Sequence, residues 1–132
     1  MMLRLIVLTL VVSPLLTSVA SDKRDPCEAP PAVIRQFGIS YKEAVREAYA
    51  QSERGLIVLF KLSRSPDLRG MWVNCYATDI RKLLDVWGDK AFAAVLRKQS
   101  SDVRKAVRDV LHEISSTEDA KRYPESFTFD KP

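Results

Sequence analysis

The sequence predicts an all-α fold of four to five helices in consecutive antiparallel hairpins, stapled by one disulfide. Three observations predict it. Apolar residues recur at helical spacing through most of residues 39–115. Cap residues stand just ahead of the periodic stretches, at Ser40, Ser65 and Ser100. The one β-branched run, Leu-Ile-Val-Leu-Phe at 56–60, has no similar run to pair with. As a strand it would leave its backbone groups without hydrogen-bond partners, so it is read as a buried helix.

The chain opens on an export leader. Arg4 supplies a positive start, residues 5–12 are apolar apart from Thr9, and Pro14 breaks the run. Ser18-Val19-Ala20 then offers small residues at a cleavage site, so residues 1–20 are expected to be removed. The apolar stretch is shorter than the roughly 18–20 residues a bilayer core requires, which argues against a retained anchor. Asp25-Pro26 ahead of Cys27 argues against a lipoprotein signal. The expected destination is the periplasm or the exterior.

Removal of the leader leaves 112 residues, with 20 basic side chains against 17 acidic ones. That length supports one domain with its own core. The net charge of +3 is small and its charges are interspersed, unlike the basic patch that nucleic acid demands. Cys27 and Cys75 are the only cysteines, and a lone pair in an exported chain is expected to form a disulfide. The bridge would close a loop of about 48 residues and contribute about 2–4 kcal/mol through loss of chain entropy.

Residues 21–38 form a proline-rich lead-in carrying Pro26, Pro30 and Pro31, which the bridge would strap onto the body. Ser40 and Glu43 then spell a capping box. It opens a helix with Ala44, Val45, Ala48 and Tyr49 on one face, running to about Glu53 with Gly55 as its stop. Ser65-Pro66 is expected to open the next helix as cap and first residue. Its apolar stripe is Leu68, Trp72, Cys75, Tyr76, Ile80, Leu83, Leu84 and Trp87, and Gly88 ends it. Asp89 is expected to cap a short helix through Phe92, Val95 and Leu96. Ser100-Ser101-Asp102 caps the last long helix, through Val103, Val107, Val110, Leu111 and Ile114. Residues 116–132 read as a polar tail in which alternating Phe127 and Phe129 suit an extended docked segment.

Two helix starts echo each other. Ser65-Pro66-Asp67-Leu68-Arg69 and Ser100-Ser101-Asp102-Val103-Arg104 share Ser-x-Asp-aliphatic-Arg at a 35-residue offset, a spacing that stacked helical hairpins produce. Asp102-Val103-Arg104-Lys105-Ala106-Val107 resembles the HEAT-repeat signature, in which Asp, Val-Arg and Ala open the second helix of a hairpin. The first copy departs from it with Gly70-Met71. The resemblance covers about residues 55–115 and implies a scaffold that binds other proteins, with no catalytic residues. Stacked hairpins would set Asp67, Arg69, Asp102 and Arg104 in rows, as a ladder between repeats or a charged binding strip. Trp72 and Trp87 lie close to four helical turns apart, so both project from one face, as core or as binding aromatics.

Candidate chemistry is thin. His112 is the only histidine and sits beside Asp109 at i−3, an ordinary surface pair. One histidine and a bridged cysteine pair leave zinc short of ligands, and no cofactor is implied. The four glycines stand apart, so no phosphate loop exists. Asp85 with Asp89, and Glu43 with Glu47, are the carboxylate pairs available for hydrolytic acid/base work. Each is explained more simply by helix capping or surface pairing. The expected function is therefore a non-enzymatic protein-binding module of the bacterial envelope, such as an inhibitor or immunity-type factor, whose partner is another protein. A small secreted hydrolase acting on cell-wall material and a carrier of an apolar ligand are the alternatives.

Overall fold

The computed structural model describes residues 35–66, 68 and 70–128. The leader, most of the lead-in, Cys27, Asp67, Arg69 and Phe129 lie outside the described residues. Within them the protein is all-helical. Seven helices follow a helical turn at 35–37: α1 (Tyr41–Tyr49), α2 (Glu53–Leu62), α3 (Met71–Trp87), α4 (Asp89–Arg97), α5 (Ser101–Ile114), α6 (Thr117–Arg122) and α7 (Pro124–Phe127).

Helix α1 starts where the sequence says it should, with the Ser40 hydroxyl accepting from the Glu43 amide at 3.1 Å. It ends at Tyr49 rather than near Glu53, because Gln51 takes a left-handed backbone (φ 61°) and turns the chain. Gly55 is not a stop. It lies inside α2, against Ala44 and Ala48 of α1, where a side chain would have no room. Helix α2 is the buried helix expected of residues 56–60, with Leu56, Leu59, Phe60 and Leu62 fully enclosed.

Ser65-Pro66 does not open α3. That helix begins at Met71 behind Gly70 (φ 61°), with Ser65 and Pro66 ahead of it outside any helix. The apolar stripe is nonetheless placed as expected. Trp72, Tyr76, Ile80, Leu83 and Leu84 are core, and Leu68, Cys75 and Trp87 pack partly buried against it. Tyr76 crosses to α2, its hydroxyl donating to the Leu59 carbonyl. Gly88 (φ 80°) ends α3 and hands the chain straight to α4. Ser100 caps α5 by accepting from the Val103 amide.

The helices do not stack as two equivalent hairpins. Glu53 at the start of α2 pairs with Lys98 just past the end of α4, at 2.7 Å. Phe60 near the end of α2 meets Phe92 near the start of α4, ring centroids 5.0 Å apart. The two run in opposite senses, whereas equivalent helices of stacked repeats run in the same sense. With α3 opening behind Gly70 and Ser65 placed in the turn before it, the echo between the two helix starts reflects shared turn chemistry.

Residues 116–127 are also not an extended tail. Ser116 and Asp119 form a complete capping box, hydroxyl to amide at 3.2 Å and carboxylate to amide at 3.0 Å. It opens α6, and α7 follows directly with Pro124 in its first turn. Tyr123, Ser126 and Phe127 are buried, so this end of the chain belongs to the core.

Candidate functional site

Of the four polar residues singled out in the sequence, Asp102 and Arg104 are among the described residues, while Asp67 and Arg69 lie outside them. Asp102 pairs with Arg64 at the far end of α2, 3.3 Å away and well exposed, a contact of at most about 1 kcal/mol. Arg104 turns back to donate to the Gln99 carbonyl at 2.7 Å, tying α5 to the end of α4. His112 is exposed on α5, its ring edge-on to Phe127 at 5.1 Å.

The two tryptophans differ. Trp87 is half-buried and donates its indole N–H to the Ala48 carbonyl at 2.8 Å, tying the end of α3 to the end of α1. Trp72 is only 5% exposed and packs edge-on against Tyr41 at 5.6 Å. Its indole N–H has no acceptor among the described residues. A buried donor left without a partner costs about 1–3 kcal/mol, so this one needs an explanation.

Between α1 and α3 lies the most distinctive edge of the molecule. The two helices run in the same sense, joined at one end by Tyr41 and Asp79 and at the other by Ala48 and Trp87. The Tyr41 hydroxyl donates to the Asp79 carboxylate at 2.6 Å. Burial first, and then Asp79, holds the Tyr41 hydroxyl far above its ordinary ionisation range. Toward the other end Tyr49 and Val86 stand 37% and 39% exposed, with Val45 and Trp87 packed partly buried beside them. Gln51 spans the edge by donating to the Val86 carbonyl. The edge thus offers exposed apolar surface on a scaffold fixed at both ends.

Of the carboxylates weighed for hydrolytic chemistry, Asp85, Asp89 and Glu47 are engaged elsewhere. Asp89 does not cap α4, whose cap is Gly88. Its two oxygens accept from the Glu125 and Ser126 amides at 2.9 and 2.8 Å and so cap α7 across the molecule. Asp85 accepts from the Tyr123 hydroxyl and pairs with Arg81 at 2.8 Å. Arg81 also donates to Asp119 at 2.6 Å and lies over the Tyr123 ring. These contacts hold Asp85 below the usual carboxylate range, through Arg81 first and Tyr123 second. Asp119 is lowered in the same way by Arg81 and the Ser116 amide. Glu47 is taken by Arg54, which reaches it through two nitrogens. Together Arg81, Asp85, Asp89 and Asp119 clasp α6 and α7 onto α3 and α4.

All four tyrosines are held above their ordinary ionisation range, and burial is the largest cause in each. A raised tyrosine contributes stability that is complete below the unfolded value of about 10 and is lost above it. Phenolate absorbance is therefore expected to rise late and cooperatively with alkaline unfolding. A smooth titration of most tyrosines near pH 10, with the fold intact, would contradict this arrangement.

Among the described residues no group of three or more His, Cys, Asp or Glu is placed to hold a metal ion, and no helix is long and apolar enough to cross a membrane. Comparison with protein-family models, with curated proteins and with solved structures finds no match.

Proposed function

We propose that the chain is an exported, non-enzymatic binding module of the bacterial envelope, an inhibitor or immunity-type factor whose partner is another protein. The observation that carries this reading is the contrast between its two kinds of surface. Asp85, Asp89, Asp119 and Glu47, the polar groups closest to useful chemistry, are engaged in ties between helices. Tyr49 and Val86, by contrast, expose apolar area on an edge braced at both ends. Aromatic and aliphatic anchors on a rigid support are what protein interfaces use. Export rests on the leader at residues 1–20 and its Ser18-Val19-Ala20 site. In the exported form Cys27 and Cys75 are joined, so that the proline-rich lead-in is strapped to α3.

Cross-linking of the mature protein in its native envelope tests the binding role. One partner is expected to be captured by the wild type and lost with Tyr49→Ser/Val86→Ser, while Ile114→Ser, also at an exposed apolar residue, retains it. Equal capture by all three would remove the edge from the interface. Release of cell-wall fragments by the purified protein would favour the hydrolase instead. The maturation is tested by intact mass: the purified protein is expected to begin at Ser21, two hydrogens lighter than its reduced form. Cys75→Ser is expected to cost about 2–4 kcal/mol in chemical denaturation. Two alkylatable thiols in the secreted wild type would overturn the bridge.

A further inference from the structure

We infer that the edge between α1 and α3 takes an acidic segment of the partner protein, an apolar anchor flanked by carboxylates. This rests on the binding role proposed above and names the chemistry of its partner. Three exposed cations rim the apolar surface of that edge: Lys42 and Arg46 on α1, and Lys82 on α3. Helical spacing fixes their place. Lys42, Arg46 and Tyr49 follow one another at i, i+4 and i+7, and so share one face of α1. On α3, Asp79, Lys82 and Val86 share a face at i, i+3 and i+7. Asp79 reaches Tyr41, so this face of α3 is turned toward α1 and brings Lys82 and Val86 to the same edge.

The acidic side chains of this region are turned away or already engaged. Glu43 and Glu47 lie on the α2 side of α1, where Arg54 holds Glu47 through two nitrogens and also feels Glu43. Asp79 accepts from Tyr41, and Asp85 is held by Arg81 and Tyr123. None of the three rim cations has an ion pair among the described residues. Uncompensated positive charge around apolar area selects a partner of opposite sign and steers its approach. A second copy of the chain would set this basic rim against itself. A bilayer is also a poor occupant. Tyr49 and Val86 are more than half covered, so they offer a surface to pack against rather than side chains that insert between lipid tails.

Titration of the purified protein with two dye-labelled synthetic peptides tests this. Both are amphipathic helices with leucine along one face; the other face carries glutamate in one peptide and lysine in its twin. The glutamate peptide is expected to bind at least about tenfold more tightly, the factor that three exposed charge contacts together supply. The preference is expected to vanish in Lys42→Gln/Arg46→Gln/Lys82→Gln and to shrink as salt is raised. Tyr49→Ser/Val86→Ser is expected to weaken both peptides. The comparison of the two peptides is made on the wild type, so it decides the matter even if a variant does not fold. Equal binding of the two peptides, or no binding of either, overturns the acidic partner. Tighter binding to phosphatidylglycerol vesicles than to the glutamate peptide overturns it in favour of a membrane surface. In each of those cases, envelope capture that depends on Tyr49 and Val86 leaves the binding module itself standing, and absence of that capture overturns both.

Discussion

A chain ending at Ser115 is expected not to fold cooperatively. Its removal takes away Tyr123 and Phe127, 6% and 5% exposed in the intact protein, and uncovers the surface they occupy on the other helices. Large aromatic side chains lost from a core cost about 3–5 kcal/mol each. Two such losses approach the whole stability of a small domain, about 5–15 kcal/mol. The polar side of the clasp adds to this. Without α7 the Asp89 carboxylate loses both its amide donors, and without α6 Arg81 loses Asp119. Phe127→Ala alone is expected to cost about 3–5 kcal/mol and still fold. Asp89→Ala leaves the Glu125 and Ser126 amides without acceptors and is expected to cost about 1–3 kcal/mol. Circular dichroism and urea denaturation check all three. A truncated chain that melted at the wild-type midpoint would show that α6 and α7 merely decorate a self-sufficient body.

The C-terminal clasp also marks where the sequence was hardest to interpret. Residues 116–132 are polar on average, and polarity alone suggests a solvated tail. The signals that mattered were local: Ser116 and Asp119 at capping-box spacing, Pro124 as a helix opener, and Tyr123 and Phe127 one helical turn apart. Asp89 was misread for a related reason. A carboxylate just after a glycine reads as a cap for the helix that follows it. Gly88 needs no such help, and the nearer demand came from two amides 36 and 37 residues away. Sequence spacing cannot express a partner at that distance. The core, by contrast, was legible. The stripe from Trp72 to Leu84 and the buried helix at 56–60 follow from periodicity and from the absence of a partner strand, and both fall where expected. The repeat misled because Ser-x-Asp-aliphatic-Arg states a preference for turn and helix-start chemistry. Orientation between helices is set by side chains that meet in space, here Phe60 with Phe92 and Glu53 with Lys98. The two tryptophans share one stripe, yet their indoles differ: Trp87 donates to Ala48, and Trp72 has no acceptor among the described residues.

Gly55→Ala is expected to destabilise the protein, although the general rule predicts the reverse. In an exposed helix the exchange of glycine for alanine gains up to about 1 kcal/mol, and Gly55 lies within α2. Here a methyl group would meet the Ala44 carbonyl oxygen and the Glu47 Cβ at 2.6 Å, and the Ala48 nitrogen at 2.7 Å. Two of these three atoms are backbone, so no rotamer change relieves the clash, and α1 must move away from α2 as a body. Ala44 and Ala48 are fully buried on the facing side, which makes this a contact between backbones lined by the smallest residues. Overpacking of this kind costs about 1–3 kcal/mol or more, which outweighs the helix propensity gained. For a domain of this size the melting temperature should fall by roughly 5–20 °C. Moving α1 also disturbs the Trp87–Ala48 and Arg54–Glu47 contacts, so tryptophan fluorescence should shift even where the variant is folded. Gly88→Ala is the contrasting case. It has open space around it but a backbone at φ 80° and ψ 159°, a region essentially reserved for glycine, so its cost of about 1–3 kcal/mol is conformational. No substitution that keeps a Cβ can recover Gly55. A Gly55→Ala protein at least as stable as wild type would mean that α1 and α2 do not approach this closely in solution.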